Sequence, residues 1–537
     1  MKGADLFVTC LEDGGIDTVF ALPGEETNAL MVALEASSID VVLCRHEQAA
    51  AFMASVHGRL TGRAAACLAT LGPGATNLLT GVADATLDLV PLVAITGQGG
   101  RDRIARGKHS HQMIDLGQLF APVTKLSRTL QTSAEIPGAV AEALSQASMA
   151  HPGAVHLSLP EDLAGEAVEG RPVSSPAART PQAHPDVLAE AAARISAAKQ
   201  PIILAGAGLL RAGATAELNA FAAKTGLPLA TSFMAKGLLP VDHPQHLGAF
   251  GLPREDHVDR AIAASDLILA IGLDPVEYPM AKLTSDGEVP LIALGHAPIP
   301  RDVTGDIQAD VVGDLKSSLP TLSGALQGRR WTVWSDAETA RAALISDLNS
   351  AFEDMDQSPP SAGALVAALG QSVDEHDTIL SGVGTHKLAL ARNFTPKRPG
   401  QIIIPNGLAG MGLALPGAIA AARLQERGRV IAVCGDGDVM MNVQDMETAT
   451  RLDLSVTVVV WVDGGYGLIE DKQEKETGDR PDLSFGTVDW DHLARAFGWT
   501  HIGCDTADDL TKALGNTASA PKRRLITVPV SYSGSFA

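Results

Sequence analysis

The segment RVIAVCGDGDVMMNVQDMETATRLDLSVTVVVWVDGGYG, residues 429–467, decides the fold class. Its first apolar run leads directly into the sequence GDG (435–437), which predicts a strand followed by a tight turn. The next run, VMMNVQDMETATRL (439–452), has the spacing of an amphipathic helix. The run SVTVVVWV (455–462) is largely β-branched, which is typical of a strand buried on both faces. The segment therefore predicts a βαβ unit of a parallel sheet.

Two aspartates follow the two predicted strands. Because parallel strands end at the same edge of a sheet, we expect Asp436 and Asp463 to lie side by side where α/β sheets bind ligands. Two carboxylates in one cleft repel each other unless a cation lies between them, and Mg²⁺ prefers oxygen ligands and often bridges protein to phosphate. Gly435 and Gly437 permit close backbone approach to an anion. The pattern indicates a Mg²⁺-diphosphate site, although GDG is also a common turn and Asp463 could cap a helix.

The same alternation of strand-like and helix-like runs occurs along the rest of the chain. Examples are AACLATLGPGATN (65–77) and LVPLVAITG (89–97), which both end in glycine-containing turns. A Pro-, Ser- and Ala-rich stretch at 165–185 and a second break at 328–363 predict connections between domains. We therefore predict an α/β fold with three doubly wound parallel-sheet domains, at residues 1–165, 185–330 and 360–537.

Charge and composition argue against several classes of protein. The formal net charge is −21 and no Lys/Arg-rich block offsets it, so we expect no nucleic-acid partner. No apolar run reaches 18 residues, and acidic residues lie where a signal peptide has its apolar region, so we expect no membrane span and no signal peptide. The 5 cysteines are odd in number and lack CxxC spacing, which indicates reduced thiols and a cytoplasmic location.

The GDG motif, with a second acidic residue 27 positions after Asp436, resembles the thiamine diphosphate motif. Most members of that family have Asn as the second ligand, whereas this chain has VDGGY (462–466), which resembles the FAD-independent, catabolic-type acetolactate synthases. The resemblance extends over nearly the whole chain. It includes CRHEQAAAFMASVHGRLTGRAA (44–65), LGPGATNLLTG (71–81), KHSHQMIDLGQLFAPVTK (108–125) and NGLAGMGLALPGAIAA (406–421).

The resemblance implies a site for Mg²⁺ and thiamine diphosphate. Asp436 and Asp463 would supply side-chain oxygens to Mg²⁺, and Gly465 would supply its backbone carbonyl. The residues at positions that contact the cofactor in the family are Gly24, Pro73, Gly384, His386, Met411, Gly435, Gly437, Asp438 and Tyr466.

Three of these positions have alternative interpretations. Met411 would support the bent cofactor from below, but a methionine between glycines is also ordinary core packing. His386 would lie near the diphosphate, or it would be a helix N-terminal residue with a backbone partner. Asp438 departs from the family, which usually has Gly or Ser here. A carboxylate at this position would repel phosphate unless it turns away and leaves only its N–H facing the ligand.

The resemblance also implies catalytic residues. Glu47 would hydrogen-bond the aminopyrimidine ring of the cofactor, for which it must be desolvated and protonated part of the time, although a lone glutamate is more often solvated. His111 and Gln112 would face the reacting carbon. Glu25 lies where acetolactate synthases usually have a small residue, so it could direct the reaction towards aldehyde release, or it could cap a helix. Lys125 could attract a substrate carboxylate or remain solvated.

The middle third favours an enzyme without FAD. FAD-binding synthases have an Arg-Phe-Asp-Asp-Arg stretch there, whereas this chain has IGLDPVEYPMAKL (271–283), which resembles the catabolic PVEY pattern. The glycine cluster GAGLLRAG (206–213) could indicate dinucleotide binding, but such clusters are weak evidence.

The implied activity is decarboxylation of a 2-keto acid, with pyruvate as the expected substrate, followed by ligation to a second 2-keto acid. Two alternatives remain open: a 2-keto acid decarboxylase or another carboligase with the same cofactor, and a non-catalytic relative. The family also implies a homodimer or homotetramer with active sites shared between subunits, so that Glu47 and Asp436 of one site come from different chains.

Overall fold

The structure is a computed structural model, and it describes residues 1–174, 180–252, 256–285, 287–300, 306–515 and 520–532. Within these residues the chain forms three parallel six-stranded sheets with helices interleaved between the strands. The predicted α/β fold with three doubly wound sheets is therefore confirmed. The division of the chain into the ranges 1–165, 185–330 and 360–537 stays a prediction.

The first sheet has the strand order β2-β1-β3-β4-β6-β5. Its strands are β1 (Thr18–Leu22), β2 (Asp40–Leu43), β3 (Ala65–Ala69), β4 (Leu92–Gln98), β5 (Ser127–Thr129) and β6 (Ala154–Pro160). The helices in this part of the chain are α1 (Gly3–Asp13), α2 (Asn28–Glu35), α3 (Glu47–Thr61), α4 (Pro73–Leu87), α5 (Arg101–Arg106), α6 (Leu116–Phe120), α7 (Ile136–Ser148) and α8 (Glu161–Gly165).

The second sheet has the strand order β12-β11-β10-β7-β8-β9. Its strands are β7 (Pro201–Ala205), β8 (Leu229–Thr231), β9 (His246–Ala249), β10 (Leu267–Ile271), β11 (Leu291–Gly295) and β12 (Ile307–Val312). The helices are α9 (Pro185–Ala197), α10 (Gly208–Ala212), α11 (Thr215–Thr225), α12 (His257–Ala263), α13 (Met280–Leu283), α14 (Leu315–Ala325) and α15 (Ser335–Ser350).

The third sheet has the strand order β14-β13-β15-β16-β18-β17. Its strands are β13 (Thr378–Ser381), β14 (Ile402–Ile403), β15 (Val430–Gly435), β16 (Val456–Val462), β17 (Thr500–Gly503) and β18 (Arg523–Pro529). The helices are α16 (Ala362–Ser372), α17 (Thr385–Asn393), α18 (Ala414–Leu424), α19 (Asp436–Val439), α20 (Met446–Arg451), α21 (Gly467–Thr477), α22 (Trp490–Ala496) and α23 (Ala507–Gly515). Short 3-10 turns occur at Glu25–Thr27, Gly107–His109, Ala121–Val123, Ser133–Glu135, Phe233–Ala235 and Val443–Asp445.

The chain divides into two compact units. The first unit consists of Met1–Arg179, Gly407–Glu426 and Val439–Val456, so it contains the first sheet together with α18 and α20. The second unit consists of Thr180–Asn406, Arg427–Asp438 and Thr457–Ala537 and carries the second and third sheets. Each unit is built around buried apolar clusters on the faces of its sheets, which is the main source of its stability.

Local sequence explains where the helices that carry the site begin and end. Helix α3 begins after His46, whose Nδ1 accepts a hydrogen bond from the backbone N–H of Gln48 at 3.1 Å. It ends at Gly62, which has a φ of 69° that suits glycine far better than other residues. Helix α4 begins with Pro73, where the missing N–H costs nothing because the first turn has no intrahelical partner for it.

The single helix predicted at 439–452 is wrong. The chain instead forms the short helix α19, a 3-10 turn and the short helix α20. The predicted helix is interrupted because two buried polar side chains form hydrogen bonds with residues outside it. Asn442 donates to the carbonyl of Gly412 at 3.0 Å, and Asp445 accepts from the backbone N–H of Arg45 at 3.0 Å. The GDG sequence is also not a separate tight turn, because α19 begins at Asp436 itself.

The linker between domains at 165–185 stays a prediction, and its end residues lie in α8 and α9. Residues 168–174 and 180–184 form neither helix nor strand, whereas residues 175–179 lie outside the described residues. In the described part of the chain, the helices are too short or too polar to cross a lipid bilayer.

Candidate functional site

Asp436 and Asp463 lie side by side at the carboxyl edge of the third sheet. Strands β15 and β16 are parallel neighbours, and Gly435 pairs in register with Trp461, so the residues that follow both strands meet at one edge. The Asp436 carboxylate is buried and accepts two backbone hydrogen bonds of 2.8 Å, from the N–H groups of Gly437 and Gly464. The structure thus places the two aspartates together, as their spacing predicts.

The two carboxyl groups are close enough to share a hydrogen bond. Burial and the neighbouring Asp436 raise the pKa of Asp463 above its usual range. The half-buried Tyr532 has its hydroxyl near the same pair, and the pKa of that hydroxyl is raised by desolvation and then by Asp463 and Asp436. A cation between the two aspartates would favour their ionised forms.

The loop after β16 forms one wall of a cavity of about 720 Å³. Two backbone hydrogen bonds hold this loop, from Tyr466 to the carbonyl of Leu483 at 3.2 Å and from Phe485 to the carbonyl of Gly464 at 2.7 Å. These bonds use the backbone groups on either side of Gly465 and not its own carbonyl. The cavity is lined by Pro359, Asp463, Gly464, Gly465, Gly467, Glu470, Asp471, Glu474, Lys475, Arg480, Ser484, Val530, Ser531 and Tyr532.

Gly437 occupies a position where no side chain fits without movement. A Cβ atom at Gly437 would lie 3.1 Å from the ring of Tyr466 and 3.1 Å from the ring of Phe485. The two rings pack edge to face with centroids 4.6 Å apart. The exposed Tyr466 therefore lies over the backbone of the residue that follows Asp436.

His386, near the start of α17, is buried close to β15 and β16, the strands that precede Asp436 and Asp463. Burial, and then the charge of Lys387, lower the pKa of His386 to about 3, so the ring is neutral. Its ring is hydrogen-bonded to the backbone of Gly382 and packs edge to face with Trp461 at 6.3 Å. Among the described residues none hydrogen-bonds to its Nε2 atom. Gly384 precedes α17 with a φ of 156°, and a Cβ there would lie 3.1 Å from the His386 ring.

Glu47, in the first unit, lies between the N-terminal turns of two helices. It is the first residue of α3, and only 7 % of it is exposed. Its Oε2 atom accepts a hydrogen bond of 3.0 Å from the side chain of Asn77 on α4. A Cβ atom on Gly74 would lie 3.3 Å from its Oε1 atom. Asn77 was not among the predicted site residues, although it lies one helical turn after Pro73 in the motif LGPGATN.

Met411 lies in the same unit as Glu47. The side-chain amide of Gln48 donates to the carbonyl of Met411 at 3.5 Å. Gly412 follows with a φ of 89°, and a Cβ there would lie 2.7 Å from the side chain of Asn442. Met411 is half buried, and its position is set by the Gln48 bond to its carbonyl and by the close packing of Gly412 against Asn442.

His111 and Gln112 lie beside the glycine-rich turn that starts α4. Gln112 has a φ of 58°, and a Cβ atom on Gly72 would lie 2.9 Å from its carbonyl oxygen. Both side chains are exposed, and the carbonyl of His111 accepts a hydrogen bond of 3.2 Å from Arg103. The structure thus brings Pro73 and the His-Gln pair together, although they are far apart in the sequence.

The buried acid of the turn after β1 is Glu26 and not its neighbour Glu25, which was among the predicted site residues. Glu25 is exposed, whereas Glu26 is buried, accepts from the Thr70 hydroxyl at 2.7 Å and lies 3.8 Å from Arg103. Gly24 packs so closely on Thr70 that a Cβ atom would lie 2.5 Å away. The two adjacent glutamates look alike in the sequence, and only the 3-10 turn at Glu25–Thr27 decides which one faces inwards.

Lys125 is an exposed residue of the first unit, which agrees with a solvated lysine. Its ammonium group donates to the carbonyl of Gln146 at 2.5 Å and to the carbonyl of His151. Partial burial of this group lowers the pKa of Lys125. The two bonds favour a structural role over attraction of a substrate carboxylate.

Three family models match the chain. The N-terminal TPP binding domain of thiamine pyrophosphate enzymes matches residues 1–119, the central domain matches 188–322, and the C-terminal TPP binding domain matches 382–528. The acetolactate synthase of Bacillus subtilis (strain 168) is 32% identical over 542 residues, which cover 99% of this chain and 94% of that protein. The catabolic acetolactate synthase of Raoultella terrigena is 31% identical over 544 residues, which cover 99% of this chain and 95% of that protein.

The chain belongs to the thiamine pyrophosphate enzyme family.

It is therefore a thiamine diphosphate-dependent enzyme, and the third sheet fits the diphosphate end of that cofactor. The cavity beside Asp463 is of ligand size, and the buried Nε2 atom of His386 needs a partner. No group of three or more His, Cys, Asp or Glu side chains with metal-binding geometry occurs in the described ranges. Two carboxylates and a backbone carbonyl are nevertheless enough for Mg²⁺, which usually takes its other ligands from phosphate and water.

Proposed function

We propose that the protein is an acetolactate synthase-like enzyme that converts two molecules of pyruvate into 2-acetolactate and CO₂, with thiamine diphosphate and Mg²⁺. The observation that supports this proposal best is the pair of adjacent aspartates at the carboxyl edge of the third sheet. The similarity to acetolactate synthases over 99% of the chain supports the choice of reaction.

The residues of the second unit would hold the charged end of the cofactor. Asp436 and Asp463 would bind Mg²⁺ through their carboxylates, and Gly465 would bind it through the carbonyl that its neighbours leave unused. Gly435 and Gly437 would let the backbone approach the diphosphate closely. His386 would bind the diphosphate through Nε2 once that atom carries a proton, since its other ring nitrogen already donates to Gly382. These assignments depend on the family resemblance together with the geometry of this unit.

The residues of the first unit would act at the end of the cofactor that reacts with the substrate. Thiamine diphosphate supplies the electron sink that permits loss of CO₂ from a 2-keto acid. Glu47, buried and held by Asn77, would exchange a proton with the aminopyrimidine ring. Met411 would support the bend of the cofactor, and Gln112 and His111 would hydrogen-bond to the oxygen of the substrate.

The second candidate, a decarboxylase that releases aldehyde, depended on Glu25. In this turn the buried carboxylate belongs to Glu26, which is held by Thr70 and lies near Arg103, and not to Glu25. The similarity to acetolactate synthases favours ligation over aldehyde release.

We further propose that the enzyme works without FAD. The glycine-rich turn before α10 has the form of a phosphate-binding turn, but an internal carboxylate already uses its backbone donor. The N–H of Ala207 donates to both carboxylate oxygens of Glu277, at 3.1 and 3.0 Å, and the Ser232 hydroxyl donates to the same group. The Ala207 N–H is therefore already used by Glu277, which supports the proposal.

We also propose a homodimer or homotetramer in the cytoplasm, with Glu47 and Asp436 of one site contributed by different subunits. The family resemblance supports the shared site, since each compact unit carries the residues for only one end of the cofactor. The 5 cysteines are free and buried, which suits a reducing compartment.

Product analysis tests the proposed reaction. The purified protein with thiamine diphosphate and Mg²⁺, but without FAD, should convert pyruvate into 2-acetolactate with one CO₂ for every two pyruvate molecules. Acetaldehyde as the main product, with one CO₂ per pyruvate, would show a decarboxylase instead. Pyruvate left unchanged, together with every other 2-keto acid offered, would support the non-catalytic alternative.

A further inference from the structure

Asp438 is a further buried acidic residue two positions after Asp436, at the edge of the sheet where the diphosphate would bind under the proposed function. Only 2 % of Asp438 is exposed. A buried carboxylate that faced a phosphate would weaken cofactor binding by charge repulsion. The direction in which this side chain points therefore decides whether it opposes the cofactor or has another role.

The Asp438 carboxylate points towards the end of the neighbouring strand β13. Its Oδ1 atom accepts a hydrogen bond of 3.0 Å from the backbone N–H of Val383. The thiol of Cys434 on β15 also hydrogen-bonds to it, and burial and then Asp438 raise the pKa of that thiol well above its usual value. Both contacts lie within the second unit and satisfy a charge that would otherwise be costly to bury.

The space that the carboxylate occupies exists because residue 382 is glycine. A Cβ atom on Gly382 would lie 1.9 Å from Oδ2 of Asp438 and 2.7 Å from its Cγ. Real Cβ atoms do not approach other atoms this closely, so a side chain at residue 382 and the observed position of Asp438 exclude each other. Gly382 and Asp438 thus form a complementary pair.

This pair connects the exits of two adjacent strands. Ser381 at the end of β13 pairs in register with Val433 of β15, and the residues that follow them are Gly382–Gly384 and Cys434–Asp438. The first segment is a turn that leads into α17, the helix that contains His386, and the second includes the start of α19 with Asp436. A hydrogen bond from the Val383 N–H to Asp438 fixes the turn against the start of α19.

We propose that Asp438 is a positioning residue for cofactor binding: its carboxylate fills the space above Gly382 and anchors the Gly382–Gly384 turn, so that the turn and the start of α17 are ordered before the diphosphate binds. The proposal rests on the proposed function. A positioning role and a repulsive role for Asp438 predict opposite results. Loss of the anchor would weaken cofactor binding, whereas loss of a repulsive charge would strengthen it.

The dissociation constant of thiamine diphosphate at saturating Mg²⁺, measured by tryptophan fluorescence, tests the anchor. Asp438→Gly should weaken binding by about tenfold or more, which is the range seen when a residue that orients a ligand-binding group is lost. Asp438→Asn keeps an oxygen that can accept the Val383 N–H and removes only the charge, so its binding should stay within about threefold of the unchanged protein. Tighter or equal binding by Asp438→Gly would overturn the proposal.

A double-mutant cycle tests the pairing of the two residues. Gly382→Ala should weaken cofactor binding on its own, because the methyl group displaces the Asp438 carboxylate. In the Asp438→Gly protein the same change should lower the affinity little further, because the space is empty. Additive effects of the two changes would contradict the pairing. Each variant is compared by circular dichroism, and if Asp438→Gly does not fold, Gly382→Ala and Asp438→Asn decide the question.

The same titration distinguishes a failure of the proposed function from a failure of the positioning role of Asp438. If the unchanged protein does not bind thiamine diphosphate, the proposed function fails. If it binds and the Gly382 and Asp438 variants all bind equally well, the proposed function survives and the positioning role is wrong.

Discussion

Replacing Glu47 with Gln should lower turnover by about two to four orders of magnitude, the usual contribution of a positioned acid–base group. Glu47 is buried at the start of α3, and Asn77 holds its carboxylate at 3.0 Å. Glutamine keeps the shape of the side chain and can still hydrogen-bond, but it cannot exchange a proton. Cofactor affinity should therefore change much less than kcat.

The measurement is kcat and KM for pyruvate together with the dissociation constant of thiamine diphosphate. Glu25→Gln is the matched control, because it makes the same change at an exposed glutamate of the same unit, and it should leave kcat nearly unchanged. Near-normal turnover in Glu47→Gln would remove Glu47 from the mechanism. A large loss in Glu25→Gln would instead reopen the possibility that this turn supplies the catalytic acid.

Replacing Asp436 with Asn should abolish Mg²⁺-dependent binding of thiamine diphosphate, with a loss of affinity of more than about 100-fold, since a direct metal ligand matters at least as much as the groups that orient it. The change also disturbs the loop, because the Asp436 carboxylate accepts the N–H groups of Gly437 and Gly464. Asp463→Asn should weaken binding in the same direction, since it removes the second of the paired charges.

A titration of cofactor binding against Mg²⁺ concentration measures this effect. Glu474→Gln is a suitable control, because Glu474 lines the same cavity but pairs with Arg480 at 3.0 Å and is not adjacent to the aspartates. It should keep both the affinity and the Mg²⁺ dependence. Unchanged Mg²⁺ dependence in Asp436→Asn would mean that the cation binds elsewhere.

Strongly patterned segments of this chain could be predicted from the sequence. Strand β16 is a continuous β-branched run buried along nearly its whole length, and β15 is an apolar run that leads directly into GDG, so their parallel pairing followed from the pattern. The short strands β2, β14 and β17 could not be predicted in this way. They have two to four residues, and their positions depend on pairing with the long strands.

The residues of the candidate site also differ in how far the sequence could predict their positions. Asp436 and Asp463 could be placed together because their positions follow directly from the ends of two long strands. The burial of Glu26 rather than Glu25 depends on the orientation of a 3-10 turn, and the direction of Asp438 depends on space left by Gly382. Such choices are made by tertiary packing, and local sequence carries no signal for them.

The break between α19 and α20 shows the same limit of local pattern. The residues have helical spacing, but the side chains of Asn442 and Asp445 bond to Gly412 and Arg45 instead of leaving the helix regular. These partners are distant in the sequence, so the periodicity alone predicts a longer helix than the chain forms.

The location of the divalent cation tests the central claim most directly. Crystals of the protein grown with thiamine diphosphate and Mn²⁺ would give an anomalous scattering peak at the cation. The account predicts that this peak lies between the carboxylates of Asp436 and Asp463, next to the carbonyl of Gly465, and in contact with diphosphate oxygens. A peak elsewhere, or a bound cofactor whose diphosphate is held without either aspartate, would contradict it.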